Sequence, residues 1–273
     1  MVKKRNWGFA THCIVQHRAG IPGIEAMTML TDHSFPRHSH DQFGIGVMTA
    51  GAQRSWSGIG QVESGAGDVI MLNPGEIHDG TPLGGTRGWH ILYVDPELVA
   101  RELGDEADSR ELVIRPVARD EHLAAHLLQL FAQLQSPARD SSVLEESFLC
   151  CLMRVTQRHG LGGPRRQPSS PSILKAIQRL EAAPEAPASL AELAALSGIS
   201  RFQLLRGFFR EVGATPHVYL MQLRVRLVRR HLAAGKSPAD AALLAGFSDQ
   251  PHMTRAFVRQ YGITPARYQA AIS

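Results

Sequence analysis

The chain of 273 residues is poor in cysteine: Cys13, Cys150 and Cys151 are an odd number with neither the spacing of a disulfide framework nor a CxxC metal pair. A reducing compartment suits such a chain. No stretch approaches the ~18 consecutive apolar residues that span a bilayer, and the charged start MVKKRNWGFATHC lacks the apolar core of a secretory leader. The expectation is a soluble cytoplasmic protein without a membrane partner. Acidic residues are scarce in one part only. Residues 161–273 hold 6 Asp/Glu against 15 Lys/Arg, whereas residues 1–160 hold 19 against 14. A basic segment is what phosphate binding requires, although it also suits an anionic membrane or simple solubility. The length leaves room for two domains.

From Ile24 to Val94 the chain is rich in Gly, with short apolar runs and frequent turn signals, which predicts many short strands in a sandwich or barrel. FGIGVMTAG places Phe43, Ile45, Val47 and Thr49 on one face, and GWHILYVDPE places Trp89, Ile91 and Tyr93 at period two. His38 and His40 in FPRHSHDQFG share a strand face, and His78 follows the Asn73-Pro74-Gly75 turn. HxH, a Gly-started strand and PG-x2-H together resemble the cupin barrel, whose histidines hold a metal at the barrel mouth. Cupin metal sites usually add a carboxylate with three or four residues between it and the HxH pair, and here those positions are Gly44 and Ile45. Three imidazoles alone can hold zinc or iron. Without the carboxylate, histidines that hydrogen-bond or touch an organic ligand are the expectation, with no resident metal. His38, His40, His78, Arg54, Trp56, Glu76, Trp89 and Tyr93 are the candidate pocket residues.

Helical periodicity begins at Asp120. Leu123, Leu127, Leu130 and Leu134, then Leu144, Phe148, Cys151 and Val155 after a Ser136-Pro137 break, predict two helices. Their stripes suit packing on their own barrel or pairing with a second subunit equally well. GLGGPRRQPSSP reads as a linker.

After the linker the chain repeats itself. SLAELAALSGISRFQLLRGFFREVGATP, Ser189 to Pro216, returns as SPADAALLAGFSDQPHMTRAFVRQYGITP, Ser237 to Pro265. Glu192, Gly198 and Ser200 align with Asp240, Gly246 and Ser248; after one inserted residue Arg206, Phe208, Arg210 and Gly213 align with Arg255, Phe257, Arg259 and Gly262. Ser189-x-x-Glu192 is a capping box, Gly198 permits a tight turn, and Ser200-x-x-Gln203 starts a second helix, which is the helix-turn-helix plan. In the second copy Ser248 is the expected cap. A long helix from Pro216 to about Leu232 joins the units, with Arg224, Arg226, Arg229 and Arg230 expected in solvent.

These residues carry a family resemblance. Residues 172–273, most of all GFSDQPHMTRAFVRQYGITPARYQ, resemble the DNA-binding domain of AraC/XylS-type transcription regulators, and the HSHD and NPGEIHDG segments resemble the AraC-type barrel. The resemblance implies an α+β two-domain protein: a cupin-like β-barrel with two helices for effector binding and dimerisation (1–160), a linker (161–171), and an all-α domain with tandem helix-turn-helix units (172–273). Implied partners are promoter DNA, a small-molecule effector, RNA polymerase and a second copy of the chain; no catalysis is implied. Carried onto this chain, Arg201, Phe202, Leu205 and Arg206 of one helix and Gln250, Pro251, His252 and Arg255 of the other meet base edges. Arginine suits guanine, Gln250 suits adenine and Phe202 a thymine methyl. Leu205 and Pro251 have no side-chain hydrogen bond to offer and drop out of the reading set, while Arg210 and Arg259 suit phosphates. The rivals are a metal-dependent cupin enzyme with a helical appendix and a regulator whose barrel serves dimerisation alone.

Overall fold

The computed structural model describes residues 12–103, 112–136, 141–161 and 170–272. Among the described residues eight strands form one antiparallel sheet: β1 His12–His17, β2 Ile24–Thr31, β3 Phe35–His38, β4 Phe43–Ser57, β5 Gly60–Gly65, β6 Val69–Leu72, β7 His78–Val94 and, after β8 Val113–Ile114, which lies apart, β9 Val117–Ala118 at the far edge. Along the main path the order is β1-β2-β7-β4-β6-β9, with β3 on β7 and β5 on β4; β8 pairs instead with β10, Gly160–Leu161. The two long strands, β4 and β7, bend where their register shifts between Met48, Ala50 and Ala52.

Period-two alternation sends the two faces of this sheet to different cores. Phe43, Ile45, Val47, Leu92 and Val94 pack under helices α1 Pro96–Leu103, α2 Glu121–Leu134 and α3 Ser141–His159, against Leu123, Leu127, Leu130, Phe148, Cys151 and Val155. The helical stripes are thus buried on their own sheet. Asp120 fastens the pair: its carboxylate caps α2 by accepting from the Leu123 amide, and it accepts from Arg154 and His159 of α3. The opposite face, with Met27, Met29, Met48, Trp89, Ile91 and Tyr93, shares a core with the C-terminal helices.

Those helices are α4 Pro171–Ala182, α5 Leu190–Ser197, α6 Arg201–Val212, α7 Pro216–Ala233, α8 Pro238–Leu244, α9 Gln250–Tyr261 and α10 Pro265–Ile272. The expected linker falls largely on 162–169, outside the described residues; Leu161 pairs with Val113 and Pro171 already opens α4. Ser189, Ser200, Thr215 and Ser237 cap their helices through the side chain, and Gly198, Gly213 and Gly262 take the left-handed backbone that closes them. The cap of α9 corrects the sequence reading. Asp249, not Ser248, accepts from the His252 amide at 2.6 Å, because the inserted residue of the second copy lies ahead of the cap.

The arginines of α7 also depart from expectation. Arg229 is 8% exposed and is held by Glu25 at 2.5 Å and Asp41 at 3.0 Å, both of the sheet domain. Arg226 donates to Ser39, and Arg224 donates to the carbonyls of Pro184, Glu185 and Ala186. Only Arg230 is largely solvated, and it too reaches Asp41. A helix wheel marks these positions as polar; the sheet domain laid along α7 converts that polar face into an interface.

Candidate functional site

The basic face of the C-terminal domain is built by two short amphipathic helices. In α6, Leu204, Phe208 and Val212 point inward, leaving Arg201, Phe202, Leu205, Arg206 and Arg210 exposed. Phe202 is 72% exposed, with Leu205 and Phe209 of the same helix also exposed. In α9, Met253, Phe257 and Tyr261 point inward, while Gln250, Pro251, Arg255 and Arg259 stand exposed. His252 is half-buried and meets the Phe247 ring edge-on at 5.3 Å. Arg206 and Arg255 form no ion pair with any described residue, whereas Arg210 is paired with Glu211 at 2.8 Å. Both helices therefore offer unpaired guanidinium groups on the open side.

The second site is a cavity of about 80 Å³ against the inner face of the sheet, walled by Met27, Met29, Phe35, Ile70, Trp89, Ile91 and Tyr93 and closed by Gln260 and Tyr261 of α9. Of the sequence candidates, His38, Trp56, His78, Trp89 and Tyr93 line it. Arg54 does not: it lies on the strand face opposite Gln53 and Ser55 and pairs with Glu63 at 3.0 Å. Glu76 does not either, because its carboxylate ties the Asn73–Gly75 turn by accepting from Gly58 N and Asn73 Nδ2.

Sequence reasoning missed Arg87. Fully buried, it lines the cavity with its guanidinium 5.1 Å from the Trp89 ring and 5.9 Å from Phe35. Its N–H groups donate to Gln53 Oε1, His33 O and Gly80 O, all neutral. Burial lowers its pKa to about 10. A lone Arg in TPLGGTRGWH carries no signal of burial; only the pairing of β7 with β4 puts it beside Gln53.

His38, His40 and His78 do converge. His38 and His78 are direct cross-strand partners of β3 and β7, and one nitrogen from each of the three rings lies within 4.8 Å of the others. Burial, then the neighbouring His78, lowers the His38 pKa to about 3; burial lowers His78 to about 4 and holds His40 well below the usual imidazole value. All three are neutral near pH 7, with lone pairs free for a metal or a hydrogen-bond donor. His40 does not line the cavity itself but stacks between it and the C-terminal domain, 4.8 Å from the Tyr93 ring and 5.3 Å from the Tyr261 ring.

Known proteins match both halves. Residues 21–153 match the AraC-like ligand binding domain family, and residues 193–271 match a helix-turn-helix domain family. The chain is 29% identical over 224 residues to the uncharacterised HTH-type transcriptional regulator YbfI of Bacillus subtilis, covering 80% of this chain and 81% of that one. A 96-residue stretch is 33% identical to the regulator MtrA of Neisseria gonorrhoeae, covering 34% of this chain and 31% of that one. In fold, the chain is similar to ToxT of Vibrio cholerae O395, with a TM-score of 0.54 at 11% identity over 93% of this chain and 99% of that one. A ToxT structure with bound unsaturated fatty acid aligns at a TM-score of 0.52 and 10% identity, over 97% of each chain. With an AraC-like ligand-binding domain ahead of its helix-turn-helix domain, the chain belongs to the AraC family of DNA-binding transcription regulators.

Proposed function

We propose that α6 and α9 read promoter DNA and that the cavity takes a compact, mainly apolar effector bearing one anionic group. Arg201, Phe202 and Arg206 of α6 and Gln250, His252 and Arg255 of α9 face base edges, while Arg210 and Arg259 face phosphates. The α7 helix, 18 residues long, spans about 27 Å at 1.5 Å per residue, which separates the units by roughly the distance between successive major grooves, about 34 Å. Among the described residues, two helices presenting unpaired arginines on one domain favour a DNA reader over a cupin enzyme with a helical appendix.

The observation that carries the effector class is Arg87. A buried guanidinium whose hydrogen-bond acceptors are all neutral is costly; Asp32 offsets part of that cost from a distance, and an anion in the cavity would add a direct partner between walls of Met, Phe and Trp. The fatty acid recorded in ToxT is of the same broad chemistry, an apolar tail with a carboxylate. Because Gln260 and Tyr261 of α9 close the cavity, an effector that fits one domain arrangement better than another shifts DNA affinity by that difference. A second copy of the chain would pair through the outer face of α3, where Val143, Leu149 and Met153 stand exposed, and the assembled regulator would engage RNA polymerase in the cytoplasm.

Thermal-shift and gel-shift titrations with benzoate and octanoate, each against its uncharged amide, test the effector class. An acid that raises Tm and alters DNA affinity in the wild type but not in Arg87→Met supports it. Amides that bind as well as the acids would overturn it.

A further inference from the structure

Two glycines that the repeat aligns act differently. Gly198 and Gly246 both take the left-handed backbone between the helices of their units, with φ +67° and +78°. A Cβ on Gly198 would meet nothing within 4 Å, so its role ends with the turn. A Cβ on Gly246 would fall 2.2 Å from the Glu185 carbonyl oxygen and 2.8 Å from its carbonyl carbon and Cα. The turn of the second unit is therefore seated on the backbone of the loop that joins α4 to α5 in the first.

That loop is stiff. Pro184 and Pro187 each fix a backbone angle in it, and every carbonyl from 183 to 187 has a donor. The Ala186 amide serves Ala183 at 3.2 Å, and Arg179 serves Pro187 at 3.3 Å. Arg224 serves Pro184, Glu185 and Ala186 at 2.8, 3.4 and 3.2 Å, because a planar guanidinium fork can reach several oxygens at once. Arg224 stands on α7 at the seam between two cores. Tyr219, Leu220 and Leu223 before it pack with the first unit, whereas Val225, Val228 and Leu232 after it pack with the second. Glycine seat, filled loop and central arginine close a three-way junction between the units. None of its residues lines the cavity or stands on the open faces of α6 and α9.

We propose that Arg224, Gly246 and the 183–187 loop act as a ruler that sets which separation of half-turns in DNA the two reading helices accept. The inference rests on α6 and α9 reading DNA and adds what fixes the distance and angle between them. One base pair inserted between half-turns moves the second by about 3.4 Å along the duplex and by about a tenth of a revolution around it. A single connecting helix resists that change only through its own bending. A backbone seated on backbone resists it by hard-sphere contact, since neither the Glu185 carbonyl nor Gly246 has a side chain there that can swing aside. Arg224 and Gly246 are thus positioning residues. They touch no base, and their loss leaves each helix its own sequence preference while loosening the interval between them.

Selection of sites from random DNA by the full chain, then gel shifts on the selected site with one base pair inserted or removed between its half-turns, tests the ruler. The wild type should select two half-turn sequences at one separation and lose about tenfold or more in affinity at either altered separation. Arg224→Gln, at a half-buried position outside both cores, should fold and select the same two sequences over several separations, with most of that penalty gone. Arg224→Lys keeps the charge and loses the fork, so it should behave like Arg224→Gln; a lysine variant as sharp as the wild type shows that charge alone suffices and overturns the assignment. Gly246→Ala, driven off Glu185, should move the preferred separation. Variants that lose affinity equally at every separation are merely weakened and overturn the ruler, as do variants that select different half-turn sequences. A wild type that selects no two-part site overturns the reading by α6 and α9 and the ruler with it, whereas a sharp wild-type separation kept by all three variants overturns the ruler alone.

Discussion

The two helix-turn-helix units began as one sequence pattern and are attached to the rest of the molecule in different ways. The first, α5–α6, packs on its own companion helix α4 through Ile173, Ala176 and Leu180, and touches the sheet domain at its edge, where Trp56 and Ile77 pack and Arg37 donates to the Gly213 carbonyl. The second, α8–α9, shares a core with the inner face of the sheet itself. Gln260 donates to the Ser39 carbonyl at 2.8 Å, Tyr261 stands over His40, and Tyr268 donates to Glu25 at 2.9 Å. A repeat therefore gives one unit whose own residues, Gln260 and Tyr261, close the cavity and one that reaches it only through the cavity-lining Trp56. An occupant of the cavity would touch the second unit directly, at Gln260 and Tyr261.

The largest test of that asymmetry is steric. Gly262 has φ +72°, and a Cβ there would fall 2.4 Å from Ile14 Cδ1 on β1. Gly262→Val should cost about 2–5 kcal/mol, strain and overpacking together, and prise α9 from the sheet. Its counterpart Gly213 has φ +83° but meets nothing closer than Trp56 at 3.3 Å, so Gly213→Ala should cost only the backbone strain, about 1–3 kcal/mol. Urea melts of both variants check this, and equal losses would break the comparison.

Next in size is DNA reading. Arg206→Ala and Arg255→Ala should each cost about 1–3 kcal/mol of specific binding. Because the first helix offers Arg201, Phe202 and Arg206 and the second Gln250, His252 and Arg255, the two losses should fall on different sequences in the two half-turns. Gel shifts on sites selected from random DNA would show it, and a site with identical half-turns would count against it.

The smallest effect distinguishes the caps. Ser200 and Gln203 cap α6 reciprocally, and Ser200→Ala should cost about 1 kcal/mol at any pH. Asp249 caps α9 with a carboxylate whose pKa is lowered first by the His252 amide and then by the Ser248 hydroxyl. A lowered folded pKa gives stability that is present above the unfolded carboxylate value of about 3.9 and is lost as pH falls through the lower folded value. Asp249→Ala should therefore destabilise at neutral pH and cease to do so in acid. Thermal melts of the two cap variants at about pH 7 and about pH 3 separate them.

Local chemistry made much of this legible. Caps, left-handed glycines and apolar spacing are properties of a few adjacent residues, and they placed α4 to α10 close to where the helices lie. The sheet was legible as strands and not as a surface. Alternation marked Trp89 and Tyr93 for the inner face, but the register shifts in β4 decide that Gln53 faces the cavity and Arg54 does not. The short helix α1 and the β8–β10 pair left no pattern long enough to read.

By itself the sequence determined the family, the paired helix-turn-helix units and their basic open faces, because these follow from periodicity within each helix and from a repeat that any reader of the chain can align. Tertiary structure alone decided that Arg87 lies buried beside a cavity, that Arg229 bridges Glu25 and Asp41, and that Tyr261 meets His40. Those pairs are far apart along the chain. Their chemistry exists only once two domains exclude water between them, so that a charge or a hydroxyl no longer has solvent to satisfy it and must find its partner in the fold.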